Sequence, residues 1–190
     1  MSRLFWVRHG PTHATGMVGW SDLPADLSDT ARITRLAAHL PRDALVISSD
    51  LVRARATADA IAGPRARLGD DPDLREIHFG DWELQAFDRI ADQDRLRAFW
   101  DAPGDVRPPG GESWQETSAR VGRAVARLRA AHPGHDIIAV AHMGTILTQV
   151  QAALGVSAHK AFGHRIDNLS VTELHWQSAG WRLRGINHCP

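Results

Sequence analysis

Five side chains, Arg8, His9, Arg53, Glu76 and His142, are of types that together can work on an anion. Guanidinium groups are permanent cations whose planar forks match phosphate or carboxylate oxygens. A pocket holding two of them lowers the pKa of an unpaired histidine, which keeps its imidazole neutral and nucleophilic. A second histidine could stay protonated once an anion is bound. Uncatalysed hydrolysis of phosphate monoesters is among the slowest of biological reactions, so charge on the transferring oxygens must be stabilised. A neutral histidine can take the phosphoryl group covalently and divide one hard displacement into two easier ones. The leaving alkoxide then needs a proton, and a carboxylic acid of raised pKa can supply it. Glu76 stands among apolar Leu74, Ile77 and Phe79, whose packing would desolvate it.

These residues must be brought together by the elements that carry them. Leu4-Phe5-Trp6-Val7 reads as a buried strand running into the turn Arg8-His9-Gly10. Asp136 to Ala141 is a second apolar strand, ending at His142, with Gly144 opening a helix. Ala44 to Ser48 is a third, followed by a helix over 51–62 whose first turn carries Arg53 and which Gly63-Pro64 closes. In open α/β sheets ligands bind at the carboxyl ends of the strands, which is where these side chains fall. The expected fold is a three-layer α/β/α sandwich with a mostly parallel central sheet, as one domain over residues 1–190.

Between these strands, residues 11–25 read as a loop over the sheet edge. Ser28 is placed to cap a helix reaching Leu40. Residues 73–77 read as extended and 85–100 as an amphipathic helix. Residues 103–111, with three prolines and three glycines, read as a flexible loop, and 112–132 as the longest helix. Residues 169–174 and 181–184 form a hairpin around Ser178-Ala179-Gly180.

Lys and Arg together number 22, as do Asp and Glu, so no net charge draws the chain to nucleic acid or an anionic membrane. The single cysteine, Cys189, excludes an internal disulfide and suits a reducing compartment. No run of about 18 apolar residues is present. No basic segment followed by an apolar stretch opens the chain, so no signal peptide is expected. A cytoplasmic location follows as the expectation.

The motifs around the five residues occur in an order that resembles the histidine phosphatase superfamily, in its phosphoglycerate mutase-like branch. Val7-Arg8-His9-Gly10 is similar to the Arg-His-Gly motif, Ser49 to Thr57 to Ser-x-Leu-x-Arg-Ala-x-x-Thr, Leu74 to Gly80 to the segment with the proton-donor glutamate, and Val140 to Gly144 to the second-histidine motif. The resemblance implies that His9 is the phosphorylated nucleophile, Glu76 the proton donor and His142 a further catalytic histidine. It implies that Arg8, Arg53, Thr15 and Met143 bind phosphate, with no cofactor and no metal, on a small phosphorylated substrate. Phe79 to Glu83, Pro109 to Ser113 and Ile166-Asp167-Asn168 resemble the α-ribazole phosphatases of cobalamin biosynthesis. Pro11, Thr15, Ala31 and Thr34 depart from the family pattern, and no glycine follows Glu83; these departures leave the leaving group open.

Other functions remain open at this point. A phosphoglycerate mutase-type transferase needs a lid against water, and the stretch between Glu76 and His142 leaves little chain for one. A phosphohistidine phosphatase or phosphoprotein-binding module could use the same anion pocket. A metallohydrolase built on His9, His142 and Glu76 would set a divalent cation against two arginines. His13 and His78 lie near motifs, Arg55 is expected to face solvent, and Trp20, Trp82 and Trp100 are candidates to line a leaving-group pocket. The oligomeric state is not legible in the sequence.

Overall fold

The computed structural model describes residues 2–178 and 180–190. Strands β1 (Arg3–Arg8), β2 (Leu45–Ser48), β3 (Ile137–Ala141), β4 (Val171–Gln177) and β5 (Gly180–His188) form one sheet in the order β2-β3-β1-β4-β5. β2, β3 and β1 are parallel neighbours, whereas β4 runs antiparallel to both β1 and β5. Four strands therefore point one way and β4 alone opposes them.

The apolar runs are continuous because both sheet faces are covered. Side chains alternate along a strand, so Leu4 and Trp6 enter one core while Phe5 and Val7 enter the other. Ile137 and Ala139 follow the first pair, and Ile138 and Val140 the second. Helices α1 (Thr30–His39) and α2 (Val52–Ala62) close the second core through Leu36, Ala54, Ala58 and Ile61. The first core is closed by α4 (Trp114–Ala131) and α5 (Met143–Leu154), through Trp114, Val121, Val125 and Ile146. The expected three layers are present.

Several boundaries differ from the sequence reading. Asp29, not Ser28, caps α1: its carboxylate accepts from the Arg32 N–H at 2.9 Å, a stronger cap than a hydroxyl one residue earlier. The helix expected over 85–100 divides into a 3-10 turn, Phe87–Arg89, and α3 (Gln93–Asp101). Asp92 causes the division by capping the Arg95 N–H, while Ile90 is extended. The stretch 73–77 begins as a 3-10 turn at Pro72–Leu74, capped by Asp71. Ser113 and Glu116 form a capping box that starts α4 at Trp114 rather than Glu112. A short α6 (Ala158–Phe162), capped by Ser157, was not foreseen. The second hairpin strand runs on to His188, across register shifts opposite Glu173 that break the alternation used to find strands. Of the expected turn, Ala179 lies outside the described residues.

Candidate active site

Each parallel strand delivers its last residue to the same edge. β1 ends in Arg8 and is followed by His9, β2 ends in Ser48 and is followed by Ser49, and β3 is followed by His142, the residue before α5. The His9 amide donates to Ala141 at 3.0 Å and the Ser49 amide to Val140 at 3.1 Å, so the sheet hydrogen bonds continue into the site.

The turn after β1 is fixed from several sides. Leu169 donates to the Arg8 carbonyl at 2.9 Å, and Asn168 Nδ2 to the His9 carbonyl at 2.8 Å. The Gly10 amide donates to Thr57 Oγ1 at 3.0 Å. A Cβ on Gly10 would meet Leu27 Cδ2 at 2.7 Å and the Asp26 carbonyl at 3.0 Å. The close approach that this glycine allows is therefore to the chain at Asp26 and Leu27.

His9 is 7% exposed, and its Nδ1 lies 2.6 Å from the Gly10 carbonyl, which can only accept. The ring proton is thus held on Nδ1 and the lone pair is left on Nε2. Arg53 Nε donates to that Nε2 at 3.2 Å. Burial first, then the charge of Arg53, push the His9 pKa down to about 3. The ring is neutral at ordinary pH.

Arg53 and His142 are fully buried beside His9. Arg53 Nη1 and Nη2 donate to the Ser21 and Gly19 carbonyls at 2.8 and 2.6 Å, which leaves two of its five N–H donors for a ligand. The His142 ring lies 5.0 Å from that of His9, and Ser49 Oγ is 2.6 Å from its Nε2. A hydroxyl that donates there puts the ring proton on Nδ1, which is buried without a partner. Burial and Arg53 hold the His142 pKa well below that of an ordinary histidine. Arg8 uses Nη1 on the Ile166 carbonyl at 2.6 Å and keeps its Nε buried and unpartnered. Buried donors without acceptors are costly, and an anion would satisfy them.

Glu76 is 6% exposed. Its two oxygens accept from the Ile77 amide at 2.9 Å and the Gly144 amide at 3.0 Å. These donors, with Arg53 and Arg8, favour the carboxylate, but burial outweighs them and the pKa is raised. The Glu76 carbonyl accepts from Trp20 Nε1 at 2.9 Å and Arg120 Nη2 at 3.1 Å. Arg120 is itself paired with Glu112, at 2.8 and 2.9 Å. Any Cβ on Gly144 would collide with the Glu76 carboxylate.

Arg8, His9, Glu76 and Met143 line a cavity of about 220 Å³ that opens to solvent. Thr12 lines it too, whereas Thr15 is exposed and is not among the lining residues. Of the three candidate tryptophans only Trp100 lines the cavity. Trp82 packs edge-on against Phe99 in the core, and Trp20 lies under Arg75. His13 is exposed on Asp26, His78 packs on Trp20, and Arg55 pairs with Asp70 at 3.2 Å.

Sequence reasoning assigned no role to Glu83. Its carboxylate accepts from the amides of Gly19, Trp20, Ser21 and Phe79 and from the Ser21 hydroxyl, at 2.7–3.2 Å. It thereby fixes the two carbonyls that hold Arg53. Ser49, Thr57 and Asn168 were visible only as letters of motifs. A carboxylate next to the turn Gly80–Trp82, with no cation beside it in sequence, was the available signal for Glu83.

Residues 4–188 match the sequence pattern of the Histidine phosphatase superfamily (branch 1). The chain belongs to that family. The activity class, a phosphatase, follows with it. The family chain is 28% identical over 193 residues to the Serratia proteamaculans protein named "Probable phosphoglycerate mutase GpmB", covering 97% of this chain and 90% of the relative. Mycobacterial glucosyl-3-phosphoglycerate phosphatase Rv2419c in complex with VO3 superposes with a TM-score of 0.85 at 32% identity, over 99% of this chain and 100% of the other. The α-ribazole phosphatase of Shigella flexneri gives 0.80 at 25%, over 97% and 96%.

Proposed function

We propose that this histidine phosphatase hydrolyses phosphate monoesters through a phosphohistidine on Nε2 of His9. The observation that carries the reading is the His9 ring itself. Its proton is tied to the Gly10 carbonyl, its lone pair is on Nε2, and that nitrogen is 3.2 Å from Arg53. In the first step Nε2 attacks phosphorus, the phosphorus–oxygen bond to the alcohol breaks, and the Glu76 carboxyl gives its proton to the leaving oxygen. Arg8, Arg53 and His142 offset the charge on the phosphoryl oxygens. In the second step water gives its proton to the Glu76 carboxylate and attacks phosphorus, the nitrogen–phosphorus bond breaks, and phosphate leaves. His9 and Glu76 end as they began.

Two arginines beside His9 disfavour a divalent cation there. Among the described residues no three His, Cys, Asp or Glu side chains are grouped to hold a metal ion. The open cavity and short Glu76–His142 stretch favour water over a second alcohol as acceptor. Within that chemistry α-ribazole phosphate is the first substrate to try, because segments 79–83, 109–113 and 166–168 resemble that branch.

The test is phosphate release from a panel of monoesters in excess chelator, with protein quenched in alkaline detergent and examined for an acid-labile, alkali-stable phosphoryl group. His9→Ala should lose turnover by at least about a thousandfold and lose the phosphoenzyme. A His9→Ala variant that keeps either one ends the proposal.

A further inference from the structure

Arg8, His9 and Glu76 are the charged and titratable side chains that line the cavity, and the rest of its lining is of another kind. Met17, Val18, Phe79, Phe87, Trp100 and Met143 are its large apolar members, and Thr12 carries the one further polar side chain. Among the described lining residues Arg8 is the only permanent cation, and the phosphoryl group needs it. Phe87 is half exposed, at 50%, although it is a large apolar residue. Its ring stands 5.9 Å from that of Trp100, which is in turn 6.1 Å from Phe79. The three rings form an aromatic row that runs from buried Phe79 to half-exposed Phe87.

Resting on the phosphatase reading, we infer that the alcohol released here is uncharged and carries a planar apolar group, which packs against Phe79, Trp100 and Phe87. A second anionic group, such as the carboxylate of a phosphoglycerate, would lose water against this wall and gain no cation. An aromatic or nucleoside-like alcohol instead covers Phe87 and gains ring–ring contact. The cavity, below the roughly 300–1,000 Å³ of drug-sized sites, takes the phosphoryl group and one small ring system. A larger alcohol extends past Phe87 to solvent. The chain thus differs in leaving group from a neighbour named for a glucosyl-3-phosphoglycerate.

Alkyl alcohols of similar acidity separate pocket effects from leaving-group effects. Calorimetry of His9→Ala, which lacks the nucleophile and leaves esters intact, compares 2-phenylethyl phosphate, ethyl phosphate and 3-phosphoglycerate. The expected result is at least about tenfold tighter binding of the phenylethyl ester than of the other two. Adding Phe87→Ala should reduce that excess at least about threefold. 2-Phenylethylphosphonate and ethylphosphonate, whose carbon–phosphorus bond does not hydrolyse, should bind the wild type in the same order. Equal affinities, tightest binding of 3-phosphoglycerate, or no binding at all overturns the inference. Wild-type turnover of the esters is read beside this. Preference without turnover would remove the hydrolase reading and leave the pocket, and turnover without preference would do the reverse.

Discussion

Burial moves His9 and Glu76 in opposite directions on the pH scale, and both shifts suit the roles proposed for them. His9, pushed down to about 3, is a free base at any pH where the chain would work. Glu76, pushed up, holds its proton to a higher pH than an ordinary carboxyl. Turnover of poor leaving groups should therefore fall as pH rises through the Glu76 pKa, because the proton donor is lost. Glu76→Gln should remove that limb, slowing alkyl esters by about a hundredfold or more and p-nitrophenyl phosphate far less. Equal slowing of both esters would rule out proton donation by Glu76. The same shifts bear on stability. His9 and His142 have depressed pKa values in the folded chain, so unfolded chains bind more protons as pH drops below the ordinary histidine value of 6.5. The stabilising effect of His9 is complete above 6.5 and declines towards pH 3, at up to ~1.4 kcal/mol per pH unit, and that of His142 declines in the same direction as pH falls. Urea titrations at stepped pH should show that slope, and His9→Gln should flatten it. Glu76 acts in the opposite sense, its effect being lost as pH rises through its raised pKa.

At the scale of elements, no catalytic candidate is held by its own helix or strand alone. Arg53 lies in the first turn of α2, yet its guanidinium is aimed by carbonyls of the loop at 19–21, and that loop is held by Glu83. Glu83→Gln exchanges a charged acceptor of five hydrogen bonds for a neutral one, so the loop should loosen and Arg53 should lose its aim. We expect kcat/KM to fall about ten- to a hundredfold, since misplacement by an ångström can cost that much. Combined with Arg53→Ala, the second change should add little, because both act through one group. Additive losses would show that Glu83 acts elsewhere. Glu76 is held in the same indirect way. Arg120 on α4 fixes its carbonyl, and the first turn of α5 donates to its carboxylate. Gly144 is required there because the Glu76 side chain occupies the space of a Cβ.

Across the whole molecule, the sheet separates two cores and sets the site on its carboxyl edge. Trp6, fully buried, is the largest side chain that β1 contributes to the core shared with α4 and α5. Trp6→Ala should cost about 3–5 kcal/mol in urea unfolding, because the surrounding helices cannot collapse into so large a void. A loss below ~1 kcal/mol would mean that this core is not close-packed. None of the described helices is long and apolar enough to cross a membrane.

The amino-acid sequence alone determined the three strands that end in Arg8-His9, Ser48-Ser49 and His142, because four or five consecutive buried residues leave a local trace. It determined Arg53 and Glu76 as candidates, because their motifs are local too. The tertiary structure alone decided which nitrogen of His9 is unprotonated, since the Gly10 carbonyl that holds its proton is placed by the fold of the turn. It decided that Glu83 supports Arg53, through partners some sixty positions away in sequence. It brought Thr12 rather than Thr15 to the cavity, and Trp100 rather than Trp20 or Trp82. Sequence periodicity reports whether a side chain is buried. Which other side chains it meets there depends on contacts between segments far apart in the chain, and those leave no periodic signal in either segment.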